Sequence, residues 1–229
     1  MKIKRNTLNI KKNKNAVIII SALLVIVSFL AAVKFLSQIV YEHYDEEIIV
    51  CLDAGHGGSD SGATSTDGKR LEKDDNLTLT LKVKDELEKM GVKVVLTRDD
   101  DSTVSLKDRC RTANKKHCDL FVAIHRNSSA KGTGIEAWIS RIEKNGEKQT
   151  AKKMVASLCE VTGLENRGVK RGYRDLSANN YYVNSNTNMP SILLEVGFIT
   201  NETDNKAFDE KLDENALAIA KVIYDSLYE

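Results

Sequence analysis

Apolar residues fall along this chain in two regimes. The first is a single unbroken run, Ala16 to Val33, 18 residues holding no charge and two serines, with Phe35 and Leu36 just beyond Lys34. At 1.5 Å rise per residue the run spans roughly 27 Å, about the hydrocarbon thickness of a bilayer. It is apolar on every side, so it reads as a membrane span and not as an amphipathic core helix. The second regime begins at Ile48, where short apolar runs alternate with stretches of helical period.

Ile48–Leu52 runs into Asp53 and the turn Gly55-His56-Gly57-Gly58, so a buried strand delivers His56 to its carboxyl end. Leu120–Ile124 ends in the same way at His125, and Ser191–Leu194 at Glu195. Between them, residues 57–70 are loop, and Asp74 or Asp75 caps a helix over Asn76–Met90 that Gly91 stops. Val92–Thr97 is a strand, and a helix runs from the Ser102–Ser105 region to about Lys116. Ile135, Ala137 and Ile139 alternate with Glu136, Trp138 and Ser140, which predicts a half-exposed strand. A helix from about Glu147 stops at Gly163. Arg167–Val183 is polar with a short strand at Tyr181–Val183, and Leu212–Leu227 closes the chain as an amphipathic helix. Alternating strands and helices predict an α/β fold, a mostly parallel twisted sheet with helices on both faces, preceded by one transmembrane helix. The order of strands is not readable.

Charge adds orientation. Residues 1–44 carry seven positive charges and one negative, a net +6, so against the chain's total of +1 the remainder carries −5. The basic flank belongs in the cytoplasm and everything after the span outside. The expected organisation is a basic cytoplasmic leader (1–15), a signal anchor (16–36), a linker (37–47) and one catalytic domain (48–229). A cleaved signal peptide is the competing reading, but Leu30-Ala31-Ala32 and Phe29-Leu30-Ala31 each put a bulky residue where a small one is wanted. The mildly acidic outer domain offers no electrostatic footprint for nucleic acid. Cys51, Cys110, Cys118 and Cys159 form no CxxC pair; Cys51 reads as a strand core residue, and no disulfide is assigned.

The candidate chemistry sits at the strand ends. Ligands gather beyond the carboxyl ends of parallel strands, so His56, His125 and Glu195 can converge in one crevice. A catalytic zinc takes three ligands and keeps one position open, and Glu72, between a glycine-rich loop and a helix, is the natural third. The separations form no local chelate, so for His56 a structural histidine in a tight turn stands beside the ligand reading.

Six blocks occur in order: Leu52-Asp53-Ala54-Gly55-His56-Gly57-Gly58; Leu71-Glu72-Lys73-Asp74 with Asn76-Leu77; Leu96-Thr97-Arg98; Arg109 with Ala113-Asn114; Leu120–His125 with Asn127; and Leu194–Ile199 with Asn201. Together they resemble the zinc-dependent N-acetylmuramoyl-L-alanine amidases of bacterial cell walls, over residues 48–228. The resemblance implies that His56, Glu72 and His125 bind one Zn2+ and that Glu195 is catalytic. It also implies that the substrate is peptidoglycan, cut at the amide between the muramoyl lactyl group and L-alanine. A zinc peptidase acting on the same polymer and a silent wall-binding scaffold are the rival readings. Asp53 either bonds a ligand histidine's second nitrogen or caps the turn. Arg98 and Arg109 read as structural ion-pair residues before substrate contacts, and Arg167-Gly168-Val169-Lys170 as a stretch near the cleft. Trp138 reads as a packing or rim residue. Arg126, where the family commonly has a small residue, is expected as a long cation close to the metal, binding a peptide carboxylate or narrowing the substrates. Gly132–Lys152 leaves no room for a long inhibitory helix, so any gate is an unidentified protein activator or the membrane tether.

Overall fold

The computed structural model describes residues 3–44, 47–173 and 179–228, so part of the expected linker (45–46) and of the polar stretch (174–178) lies outside the described residues. Two units are present, residues 1–46 and 47–229. The first is one helix, α1 (Ile3–Tyr44), which continues through most of the stretch read as linker. Its segment Val17–Ser37 is long and apolar enough to cross a membrane, and none of it is buried.

The second unit runs β1 (Ile49–Ala54), α2 (Glu72–Lys89), β2 (Lys93–Leu96), α3 (Leu106–Lys115), β3 (Leu120–Asn127), β4 (Ile135–Ile139), α4 (Glu147–Thr162), β5 (Asn166–Arg171), α5 (Tyr182–Asn186), β6 (Ser191–Phe198), α6 (Glu202–Glu210) and α7 (Leu212–Tyr228). The six strands form one sheet in the order β2-β1-β3-β6-β4-β5. All neighbours are parallel except β4 and β6, which run antiparallel. The sheet is therefore mostly parallel, as the alternation of elements implies.

Because successive strand residues face opposite ways, the sheet sorts its side chains into two cores. Val50, Leu52, Val122, Ile124, Ile192 and Leu194 pack with α2, α4 and α7 in the larger one. Cys51, Phe121, Ala123, Trp138 and Leu193 face the other way, against Cys110 and Ala113 of α3 and Val183 of α5. All four thiols are free, and three of them, Cys51, Cys110 and Cys118, lie in this second core. Two short helices cover less of a sheet than three longer ones, and it is on this less covered face that a cavity opens.

Four local expectations are corrected. Helix α2 starts at Glu72, and no side chain caps it. Its first N–H groups go to loop carbonyls instead, Glu72 N to Ala63 O and Lys73 N to Ser61 O, so a carboxylate cap is not needed. Strand β4 is buried on both faces, not half exposed. Its polar Glu136 is accommodated by Arg167, Lys170 and the Trp138 indole, whose N–H and charges satisfy the carboxylate. Tyr182–Asn186 is helical where a strand was expected at Tyr181–Val183. Finally, β5 occupies the start of the polar stretch Arg167–Val183, where the expected strand was Tyr181–Val183, and is a partly exposed edge pairing only with β4.

Candidate metal centre

The site is built on the carboxyl end of β1. Two buried arginines fasten it there. Arg109 donates to Asp53 Oδ1 (2.6 Å), Ala54 O (2.7 Å), His56 O (2.6 Å) and Val104 O (3.1 Å). Arg98 donates to the carbonyls of Ala54, Gly55, Lys73 and Asp100. Both guanidinium groups are spent on the scaffold, in line with the structural reading of these residues. Asp53 likewise bonds Arg109 and the Thr97 hydroxyl, and the nitrogen of His56 that it was a candidate to hold is taken by another residue.

Held this way, the turn presents His56 at φ 62°, a left-handed conformation that a non-glycine residue adopts only where its surroundings fix it. His56 Nε2 lies 3.3 Å from Glu72 Oε1, and His125 Nδ1 lies 2.9 Å from the same oxygen. The three ligand atoms all fall within 4.8 Å of one another. Two imidazole nitrogens and one carboxylate oxygen are the donor set of a catalytic zinc. The space around them has no slack. A Cβ on Gly55 would lie 2.2 Å from His125 Cε1, and one on Gly62 would lie 2.7 Å from His56 Cδ2 and 2.8 Å from Glu72 Oε2.

Electrostatics tie the group together. Burial works against charging His56, but the Glu72 and Asp60 carboxylates outweigh it and raise the imidazole to about 9. Burial also opposes ionisation of Glu72, yet the hydrogen bonds of His125 and His56 hold it well below the usual carboxylate range. The other oxygen of Glu72 accepts from Ala63 N at 2.8 Å. Asp60 Oδ2 bonds His56 Nδ1 at 2.9 Å and so fixes which nitrogen faces Glu72. Sequence reasoning missed Asp60, although it stands four residues after His56 in the glycine-rich loop.

Glu195, buried within β6, is the register partner of His125 on β3 and of Glu136 on β4. With His56, Glu72 and His125 it lines a cavity of about 790 Å³. Arg126 corrects the expectation. One position along the strand from His125, its side chain passes to the opposite face, where it is fully buried. It pairs with Asp75, donates to Asn205 Oδ1 (2.6 Å) and lies 4.3 Å over the Phe208 ring. It offers the cavity no cation. Arg167 and Lys170 both end on Glu136 Oε2, and Trp138 is buried, a packing residue.

A mostly parallel sheet whose strands β1, β3 and β6 bring His56, His125 and Glu195 beside Glu72 at the start of α2 defines a metal-hydrolase class of site. Residues 50–228 match the family described as Amidase_3, N-acetylmuramoyl-L-alanine amidase. Among relatives, protein YqiI of Bacillus subtilis is 36% identical over 183 residues, 79% of this chain and 84% of that protein. The probable cell wall amidase LytH of Staphylococcus saprophyticus is 38% identical over 167 residues, 71% of this chain and 52% of that protein, so the chain spans about half of LytH. Among solved structures, the N-acetylmuramoyl-L-alanine amidase from Clostridium difficile 630 aligns with a TM-score of 0.72 at 34% identity, covering 80% of this chain and 98% of that one. The CwlD amidase from Clostridioides difficile, in complex with the GerS lipoprotein, aligns at 0.70 and 32%, covering 79% and 98%. The chain belongs to the N-acetylmuramoyl-L-alanine amidase family, enzymes that hydrolyse the amide between the muramoyl lactyl group and L-alanine in peptidoglycan.

Proposed function

We propose that His56, Glu72 and His125 hold one Zn2+ and that Glu195 moves the proton in the amide hydrolysis. The observation that supports this most is the convergence of those three ligand atoms in one cavity with Glu195. A zinc ion there supplies Lewis acidity, activating water and polarising the amide carbonyl, which neutral water alone attacks poorly. Glu195 takes the proton as water attacks the carbonyl and passes it to the departing nitrogen of L-alanine, which leaves as an amine. Asp60 keeps the His56 ring turned toward Glu72, and the turn held by Arg98 and Arg109 keeps that geometry fixed.

Residues 16–36 anchor the chain in the cell membrane as a single pass, with the basic leader 1–15 in the cytoplasm. After the linker 37–47, the catalytic domain, residues 48–229, works outside on the wall. A protein activator is part of this reading; the related CwlD amidase is found in complex with a lipoprotein.

The test uses the full chain in detergent micelles, loaded with zinc and incubated with peptidoglycan. The expected result is new amino-terminal L-alanine with glycan chains intact, abolished by chelator and restored by zinc. New amino termini on other residues would instead make the enzyme a peptidase. Bound zinc with no bond cut would point to a missing activator, and no zinc at all to the scaffold reading.

A further inference from the structure

The cavity has a second wall that the hydrolytic chemistry does not use. Tyr173, Tyr181 and Tyr182 line it together with the candidate ligands and Glu195. Among the described residues of the second unit, six large apolar or aromatic side chains are well exposed, and three of them, Leu106, Tyr173 and Tyr182, border this one cavity. Aromatic surface concentrated at a cleft, not scattered over the domain, marks a binding surface.

The wall is stiff. Tyr173 and Tyr181 rings lie 4.8 Å apart, and Tyr181 meets the buried Trp138 edge-on at 5.5 Å. Trp138 is fixed by its indole hydrogen bond to Glu136 (3.0 Å) and by Lys170, 5.4 Å over its ring. Glu136 in turn is the register partner of Glu195, so the aromatic ladder and the carboxylate at the reacting end share one rung of sheet. Tyr173, 42% exposed, stands at the open end of that ladder, and Tyr182, equally exposed, follows Tyr181 along the chain and lines the same cavity.

The chemistry of this wall selects a ligand. Among the described residues lining the cavity the arginines are Arg109 and Arg126, and both direct their guanidinium groups to Asp53, backbone carbonyls, Asp75 and Asn205, so neither is turned toward a carboxylate or phosphate in the cavity. Exposed aromatic side chains suit the C–H face of a neutral pyranose, which presents polarised hydrogens to the π system. We propose that Tyr173 and Tyr182 form the glycan subsite, stacking a sugar ring of the glycan chain so that the lactyl amide lies over His56, Glu72 and His125. This rests on the amidase reading of the site and assigns the two walls: sugar on the tyrosines, scissile amide at the strand ends.

The experiment takes the full chain in detergent micelles and two probes, a fluorescent peptide-free glycan oligosaccharide of alternating N-acetylglucosamine and N-acetylmuramic acid, and the free stem peptide. Wild type should bind the oligosaccharide directly and be inhibited by it competitively. Tyr173→Ala and Tyr182→Ala should each weaken its binding about fivefold and raise KM for peptide-bearing glycan in proportion. Tyr173→Phe and Tyr182→Phe should stay within about twofold of wild type, because the ring and not the hydroxyl makes the contact. Leu at the same positions keeps apolar volume without a π face, so it should behave as Ala does while the thermal midpoint stays at the wild-type value. Unchanged oligosaccharide binding in the Ala and Leu variants would overturn the proposal. So would a loss confined to the stem peptide, which would make this wall a peptide subsite. Oligosaccharide binding is read without turnover, so a chain that binds it through the tyrosines yet frees amino termini other than L-alanine would refute the amidase reading and leave the subsite standing.

Discussion

His125 and Glu195 share one rung of the parallel pair β3 and β6, on the same face of the sheet. Neighbouring backbones therefore set the separation of a candidate ligand and a candidate proton carrier, and no flexible loop intervenes. Their roles should separate cleanly on mutation. In Glu195→Gln zinc content should remain near one per chain while turnover falls by about 10²- to 10⁴-fold, the usual worth of a positioned acid–base group. In His125→Ala both zinc and turnover should go. Zinc by elemental analysis and L-alanine amine release on the same samples decide it, and a Glu195→Gln enzyme within tenfold of wild type would remove that residue from the chemistry.

Asp60 is exposed, yet among the described residues it makes the hydrogen bond that orients His56 from outside the ligand set. Removing such a carboxylate should let the imidazole rotate and lower its basicity. Asp60→Ala is expected to weaken zinc affinity by about 10- to 100-fold without unfolding the domain. Competition with a chromogenic chelator reads the affinity directly. Unchanged affinity would mean that the constraint at φ 62° alone holds the ring.

What the chain made legible, and what it hid, follows the range of the forces involved. Runs ending at His56, His125 and Glu195 are local patterns, and they announce buried parallel strands and their loaded ends. Asp60 was hidden because a carboxylate in a Gly/Ser/Asp loop looks like any solvated turn residue until the fold shows which nitrogen it faces. Strand β4 misled for a related reason. Its alternation of Ile135, Ala137 and Ile139 with Glu136 and Trp138 is that of a half-exposed strand, and only the distant Arg167 and Lys170 make burial of Glu136 tolerable. Helix α6 was missed because it buries little beyond Asp204 and Phe208. Arg126 was misplaced since proximity in sequence to His125 says nothing of side; strand alternation sends the two to opposite faces.

That misplacement has an energetic consequence. Burial pulls Arg126 down to about 10, with Asp75 opposing, so it remains charged at neutral pH inside the larger core. It bonds Asp75 and Asn205 and covers Phe208, tying α2 to α6 on the opposite face of the sheet from His125. Arg126→Ala should cost about 3 kcal/mol, through lost packing and a buried pair broken on one side. Asp75 keeps its bonds from Arg70 Nε at 2.8 and 2.7 Å, which limits the loss. Arg126→Met restores volume over the ring and should cost less than half as much. Denaturant unfolding measures both, and zinc content should hold in each, because only the backbone N–H of Arg126 touches Glu72. Loss of zinc in the Met variant would show that this network positions the ligand and does not merely brace the fold.

Glu136 supplies the pH dependence. Burial pushes its carboxyl up, but the hydrogen bonds from Lys170 and Arg167 outweigh that and lower it below the ordinary value. A carboxylate depressed in the folded state stabilises fully above its unfolded pKa of about 4.3, and that contribution is lost as pH falls through the folded value. At pH 7, Glu136→Gln should therefore be clearly less stable than wild type, since Arg167 and Lys170 lose their charged partner. As pH falls from about 5 toward 3, wild type should lose stability faster than the variant, and the gap between their thermal midpoints should close. Thermal unfolding of both proteins across that range gives the answer. A gap that stays constant with pH would mean that the charge of Glu136 contributes nothing to the difference between the two proteins. A gap that narrows on acidification would show that the ionised form holds β4 and β5 together beside Glu195.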